Sequence, residues 1–173
     1  MTIYIALLRA VNVGGTGKLP MTELKAMCEA LAFTQVKTYI ASGNVVFNSP
    51  HPAHKTCALL EQSLQLYAGK AVGVFLRTPE QLAQVLEHNP YQQYAPNRSV
   101  AIFIDETPND AMIAAAKGRK EELIALGTQE IYVYYGDGMA DSKLVIPAAK
   151  LGTARNMNTI AKLAELGLQA MLA

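Results

Sequence analysis

The stretch TIYIALLRAVNVGGTGKLP, residues 2–20, decides how the first half of the chain folds. Thr2–Leu8 is rich in β-branched and aromatic residues, which predicts a buried strand. The segment that follows contains three glycines. Pro20 then falls in the first turn of a segment with apolar residues at helical spacing, which predicts an amphipathic helix. The stretch is therefore expected to form a strand, a glycine-rich loop and the start of a helix.

The elements that follow complete a repeating order. VKTYIA (36–41) and VVFN (45–48) predict two strands, and Ser42-Gly43-Asn44 between them has the composition of a hairpin turn. AHKTCALLEQSLQLYAG (53–69) predicts a helix that ends at Gly69, and AVGVFLR (71–77) predicts a fourth strand. The order β-α-β-β-α-β is typical of the ferredoxin-like fold.

The second half repeats this order in part. Thr78-Pro79 and Thr107-Pro108 each predict a helix start, and SVAIFID (99–105) predicts a strand between them. EIYVYYGDGMADSKLVI (130–146) reads as two strands around a glycine turn, and RNMNTIAKLAEL (155–166) as a last helix. We therefore expect an α+β protein of two ferredoxin-like, βαββαβ-type subdomains with antiparallel sheets, spanning residues 1–78 and 79–173.

Composition excludes several classes of protein. With 173 residues, 51% hydrophobic and 17% charged, the chain reads as folded and globular. The net charge is +1, although residues 1–78 carry 7 Lys and Arg against 3 Asp and Glu. The two cysteines are too few for a disulfide scaffold. Neither a signal peptide nor a membrane span is recognisable, so we expect a cytoplasmic location and no membrane partner.

The glycine-rich loop does not match a nucleotide-binding signature. The P-loop pattern would need a glycine where Asn12 stands and a hydroxyl residue where Leu19 stands. No window has the spacing of the dinucleotide fingerprint. Glycines before a helix N-terminus can still form an anion-binding concavity of backbone N–H groups. The alternative is that they only allow a long connection to turn.

Topology brings the loop close to a second polar segment. In a ferredoxin-like sheet of order 4-1-3-2, the first strand ends at the edge where the second and third strands turn. Arg9, Asn12 and the glycines should therefore lie near Ser42-Gly43-Asn44, with Lys70 at the same edge. A guanidinium, carboxamides, a hydroxyl and backbone N–H groups suit a phosphate or carboxylate.

The second half offers fewer polar candidates. Asn156 is expected to be the N-cap of the last helix. Arg155 beside it is unusual, because the helix dipole disfavours a cation there: it either holds an anion, crosses to another element, or is simply a surface side chain. His51 and His54 have a metal-like spacing but no cysteine or acidic neighbour, so we predict no metal site and no cofactor.

These motifs together resemble a known family. IALLRAVNVGGTGKLPMTELKAMCEALAFTQVKTYIASGNVVF (5–47), DSKL (141–144) and TARNMNT (153–159) resemble the bacterial domain-of-unknown-function 1697 family. The resemblance implies two ferredoxin-like subdomains and no established activity. The positions that match its motifs are Arg9, Asn12, Gly14, Gly15, Lys18, Ser42, Gly43, Asn44, Ser142, Arg155, Asn156 and Thr159. Ala10, Val11 and Met157 depart from the family's glycine, isoleucine and tryptophan.

Three functions remain open. The first is binding of a small anionic, phosphate-containing ligand at the glycine-rich loop. The second is hydrolysis or transfer of a phosphate or acyl phosphate, for which Arg9 and Asn44 would be the active pair by fold-level analogy to acylphosphatases. The third is a nucleic-acid-binding sheet face, against which the low net charge and the missing aromatic signature argue. The oligomeric state is not indicated.

Overall fold

The computed structural model describes residues 1–11 and 18–173. The chain forms two compact units. Met1–Leu82 and Leu163–Ala173 make up the first unit, and Ala83–Lys162 make up the second unit. The boundary between residues 78 and 79 stays a prediction.

The helices and strands of the first unit follow the expected order. They are β1 (Thr2–Leu8), α1 (Met21–Ala30), β2 (Thr34–Thr38), β3 (Asn44–Ser49), α2 (Ala53–Ala68) and β4 (Val74–Arg77). The strands form an antiparallel sheet of order β2-β3-β1-β4. Gly69 ends α2 in the left-handed conformation, with φ of 73°, as its sequence predicts.

One face of this sheet carries the core of the first unit. Alternate residues of β1, Tyr4, Ala6 and Leu8, are buried with Leu24 of α1 and Leu60 of α2. Phe33 and Phe47 stack with their ring centroids 4.5 Å apart. On the other face, a Cβ at Gly167 would lie 3.1 Å from Ile5 Cδ1, so glycine allows the close approach of the C-terminal helix.

The second unit has the same sheet order with a different set of connections. Its elements are β5 (Ser99–Phe103), α4 (Asp110–Ala114), β6 (Leu123–Leu126), β7 (Glu130–Tyr134) and β8 (Thr153–Asn156). The antiparallel order is β6-β7-β5-β8. α3 (Pro79–Glu87) precedes these elements and α5 (Met157–Leu172) follows them. The predicted α+β class with antiparallel sheets is therefore confirmed, and each of the two sheets has four strands.

The capping motifs in the sequence predict the start of α3 correctly but not the start of α4. Thr78 and Gln81 form the expected capping box: Thr78 N donates to Gln81 Oε1 at 2.8 Å, and Gln81 N donates to Thr78 Oγ1 at 3.2 Å. At α4 the cap is Asn109, whose Oδ1 accepts from Met112 N, and not Thr107. Helix α4 therefore begins at Asp110, directly after the Asn109 cap, and not directly after Thr107.

The expected hairpin over residues 130–146 is wrong. β7 pairs instead with β6, which the sequence analysis missed, and residues 136–141 form a 3₁₀ turn. Val145 joins Lys117 through two backbone hydrogen bonds of 2.8 Å. Residues 153–156 form β8, so the last helix starts at Met157 rather than Arg155. The polar and glycine-containing flanks of β6 and β8 hid two strands of four residues each.

Candidate functional site

The segment after β1 contacts the turn before β3. Leu8 N donates to the carbonyl oxygen of Gly43 at 2.8 Å. Gly43 has φ of +90°, and a Cβ there would lie 2.5 Å from Val11 Cγ2 and 2.9 Å from Leu8 Cβ. The described end of the glycine-rich loop and Ser42-Gly43-Asn44 are therefore neighbours, and only glycine fits at their contact.

Asn44 holds the turn before β3 in shape. Its side chain is fully buried, and Nδ2 donates to the carbonyl oxygen of Tyr39 and to Ser42 Oγ, each at 2.9 Å. Tyr39 N donates back to the carbonyl oxygen of Asn44 at 2.9 Å. Both amide hydrogens of Asn44 therefore have partners inside the protein, and the Ser42 hydroxyl accepts one of them.

Two residues beside this contact have strained backbone. Ala10 has φ of 56° and Ile40 has φ of 48°, both in the left-handed region. That region is unfavourable for alanine and rarer still for a β-branched residue. The resemblance described above implies a glycine in place of Ala10, and glycine adopts this conformation without the Cβ penalty. Backbone strain of this kind concentrates at binding and catalytic sites, where the surrounding structure maintains it.

Arg9 lies along the segment that leads into β4. Its backbone N–H donates to the carbonyl oxygen of Gly73 at 2.9 Å. A Cβ at Gly73 would lie 3.4 Å from Arg9 Cβ and 3.6 Å from Arg9 Cδ, so the aliphatic part of the side chain passes over this glycine. The arginine is half-buried and adjoins the cavity-lining residue Ala10.

A cavity of about 190 Å³ opens beside these segments. Lys18, which precedes α1, and Lys70, which follows α2, both line it. Tyr67 from the last turn of α2 adds a phenol, and the rest of the wall is apolar. The cavity therefore combines two exposed lysines with a largely apolar lining, and we call it the lysine cavity.

The predicted site residues fall into three groups. Arg9, Lys18, Ser42, Gly43 and Asn44 all belong to the first unit, and of these Lys18 lines the lysine cavity. Arg155 and Asn156 belong to the second unit. Asn12, Gly14 and Gly15 lie outside the described residues, so their assignment stays a prediction.

Arg155 is a buried strand residue. It pairs with Ala101 of β5, and Nη1 donates to Thr153 Oγ1 at 2.7 Å and to the carbonyl oxygen of Ala154 at 2.9 Å. Burial lowers the pKa of its guanidinium to about 10, because the charged form loses hydration. Asn156 caps α5 as predicted: its Oδ1 accepts from Thr159 N at 2.9 Å.

A buried carboxylate in the second unit was not singled out from the sequence. Glu122 accepts hydrogen bonds from the Ser142 hydroxyl and from Lys120 N, the latter at 2.7 Å. The Ser142 bond, followed by the backbone bonds, lowers the pKa of Glu122 below its usual value of 4.5. Ser142 was marked by the resemblance, but nothing in the sequence indicated which acidic residue it would meet.

The apolar residues that line the lysine cavity were also not identified as site residues from the sequence. Leu64, Tyr67 and Ala68 lie three and four residues apart at the end of α2, and they line the cavity together. This spacing was a usable signal once Gly69 was taken as the helix end. Val72 completes the wall from a segment that was predicted only as a strand.

Metal and membrane features are absent where the structure can be described. Residues 1–11 and 18–173 contain no group of three or more His, Cys, Asp or Glu side chains that could hold a metal ion. Over the same residues, no helix has the length and apolar character that a membrane crossing requires. Cys28 and Cys57 do not form a disulfide, and burial raises the pKa of Cys28 to about 12.

Comparison with known proteins identifies a family and a fold. No curated protein matches the chain. The chain is similar to the solved structure of SP0830, a conserved bacterial protein from Streptococcus pneumoniae, with a TM-score of 0.78 and 24% sequence identity over 95% of this chain and 98% of that one. This likeness supports the fold alone. The model of the family described as a protein of unknown function, DUF1697, matches residues 1–132, and the chain therefore belongs to that family.

Proposed function

We propose that this protein binds a small anionic ligand, such as a phosphorylated metabolite, at the lysine cavity beside the loop that follows β1. The observation that carries the proposal is that Lys18, which precedes α1, and Lys70, which follows α2, line one cavity. Two ammonium groups at one concave surface attract an anion more strongly than the same charges on separate surfaces.

Two further observations support this location. Ala10, one of four described non-glycine residues with positive φ, lines the same cavity, and Ile40, another of the four, lies in the turn that contacts Val11 through Gly43. Arg9 adjoins the cavity and can supply a guanidinium. Asn12, Gly14 and Gly15 remain sequence-based candidates for backbone contacts to the same ligand.

The hydrolase alternative has less support. An acylphosphatase-like reaction would need the Asn44 amide to donate to the substrate. Both of its hydrogens instead donate to Tyr39 and Ser42 within the turn. No observation favours the nucleic-acid alternative, and we propose neither of them.

Thermal unfolding with added anions tests the proposal. The panel would contain inorganic phosphate, sugar phosphates, nucleotides and simple carboxylates. A ligand at about a hundred times its dissociation constant should stabilise the protein by about 2.7 kcal/mol. We expect this stabilisation in the wild type and its loss in the double variant Lys18→Ala/Lys70→Ala.

The matched control removes the same charge elsewhere in the first unit. Lys25 and Lys55 are exposed residues of α1 and α2 that do not line the cavity. The double variant Lys25→Ala/Lys55→Ala should keep the response to the ligand. Equal loss of the ligand-induced stabilisation in both double variants would mean that the stabilisation depends only on net charge. No stabilisation of the wild type by any anion would overturn the proposal.

A further inference from the structure

The interior of the lysine cavity is unsuited to a fully hydrated anion. Its inner wall is formed by the buried side chains Val11, Leu19, Leu64 and Val72, each at most 9% exposed. Phosphate or carboxylate oxygens placed against such a wall would lose water without gaining hydrogen bonds, which is costly. The wall instead favours an apolar group on the part of the ligand that enters the cavity.

The volume of the cavity limits the size of that group. At about 30 Å³ for each water-sized unit, 190 Å³ has room for about six carbon-sized atoms. A phenyl ring or a chain of about five or six carbons therefore fits. A complete nucleotide is too large, since pockets for drug-sized ligands begin near 300 Å³.

The polar residues of the cavity determine which chemical group the other end of the ligand must carry. Lys18, Tyr67 and Lys70 are exposed, whereas the apolar lining residues Val11, Leu19, Leu64 and Val72 are buried. An ammonium group and a phenol bind an anionic head that remains partly hydrated. Charge and hydrophobicity are therefore divided between the two ends of the same cavity.

We infer that the ligand is an amphiphilic organic anion: one carboxylate or phosphate held by Lys18 and Lys70, joined to a phenyl ring or a short acyl chain that enters the apolar cavity. This inference rests on the proposed function, because it takes the two lysines as the anion site. It adds the chemical class of the ligand's remaining part.

Calorimetric titration with homologous probes tests the inference. The carboxylates acetate, butyrate, hexanoate and decanoate vary the chain, and benzoate supplies a ring. Phenyl phosphate and inorganic phosphate distinguish a phosphate head from a carboxylate, and hexanamide removes the charge. We expect affinity to rise about fourfold for each added methylene up to about six carbons and then to stop rising. Hexanamide should bind at least tenfold more weakly than hexanoate.

Two variants test the apolar interior. Ala68→Phe places a ring at an exposed position that lines the cavity and should abolish the preference for hexanoate over acetate. Leu66→Phe is its control, because Leu66 lies on the same helix, is 81% exposed and does not line the cavity. Leu64→Ala should move the preferred chain length upward by about three carbons, since it deletes that much side chain from the wall.

The outcomes separate the inference from the proposed function. Equal binding of acetate, hexanoate and inorganic phosphate, lost in Lys18→Ala/Lys70→Ala, would overturn the inference and leave the proposed function in place. No binding of any of these probes would overturn the inference, and the proposed function would fall with it if the full anion panel also failed to stabilise the wild type. Hexanamide bound as tightly as hexanoate would remove the anion from the proposal altogether.

Discussion

The two sheets share one strand order but differ in how the third strand reaches the fourth. In the first unit this connection is α2, sixteen residues that satisfy their own backbone hydrogen bonds and bury Leu60 and Leu64 against the sheet. In the second unit, residues 135–152 hold two 3₁₀ turns, and Ile146 enters the core. We call residues 135–152 the strap.

The difference shows where single residues matter most. An irregular backbone needs partners outside itself, because buried N–H and C=O groups must be paired. The strap's backbone pairs with Lys117, which bonds Val145 in both directions, and the hydroxyl of its residue Ser142 donates to Glu122. We therefore expect substitutions at the strap's anchors to destabilise more than comparable ones around α2.

The largest effect is expected for Gly118→Ala. Gly118 has φ of +70°, and an added Cβ would overlap the carbonyl oxygen of Lys143 in the strap. Left-handed strain and overlap with backbone should together lower the free energy of unfolding by about 3 kcal/mol. Urea unfolding followed by circular dichroism measures this.

The control for Gly118 lies in the strap itself. Gly138 has no atom within 4 Å of its added Cβ and no positive φ. Gly138→Ala should therefore change the free energy of unfolding by at most about 0.5 kcal/mol. Similar losses at the two glycines would mean that the strap is not held against Lys117 and Gly118.

The next effect is expected in the first unit, for Gly43→Ala. The added Cβ would meet Val11 and Leu8, but the nearest atom, Val11 Cγ2, belongs to a side chain and can shift. We expect a loss of about 2 kcal/mol. Gly69→Ala isolates the conformational part, since Gly69 has φ of +73° with nothing within 4 Å, and should lose about 1 kcal/mol.

A loss at Gly43 no greater than at Gly69 would contradict the close contact between the segment after β1 and the turn before β3. That contact is also the feature of the site that the sequence predicted best. Antiparallel pairing alone brings the end of β1 and the start of β3 to one edge, so Arg9 and Ser42-Gly43-Asn44 could be grouped without coordinates.

Other features could not be predicted for physical reasons. The use of the Asn44 amide depends on where Tyr39 and Ser42 point their oxygens, which composition does not determine. The strap depends on backbone pairing between Lys117 and Val145, which are 28 residues apart. Local propensity does not predict which distant residues will pair. The lysine cavity required a helix end, a loop and a strand entry to be considered together.

A smaller effect, marked by its pH dependence, is expected for Glu122→Gln. Because the pKa of Glu122 is lowered in the folded protein, its carboxylate contributes stability that is present above its usual pKa of 4.5. That contribution is lost as the pH falls below 4.5 through the folded-state pKa. The variant should therefore be less stable than the wild type at pH 7, and the two should converge in acid.

Glu121→Gln is the matched control for Glu122. It makes the same charge change at an exposed neighbouring position, and we expect little difference from the wild type over the same pH range. Urea unfolding at several pH values would measure all three proteins. A deficit in Glu122→Gln that stays constant from pH 7 into acid would assign the loss to packing rather than to the ionised carboxylate.

The smallest effect, and the one of opposite sign, is expected for Ala10→Gly. Relief of the left-handed strain at φ of 56° should exceed the added entropy of glycine in the unfolded chain, for a net gain of about 0.5 kcal/mol. Ala71→Gly, at an exposed position without positive φ, should lose about as much. Anion titration of Ala10→Gly then tests whether the strained backbone of Ala10 contributes to ligand binding. Weaker binding alongside higher stability would indicate that Ala10 holds the cavity in its binding shape, whereas unchanged binding would make the alanine a neutral departure from the family's glycine.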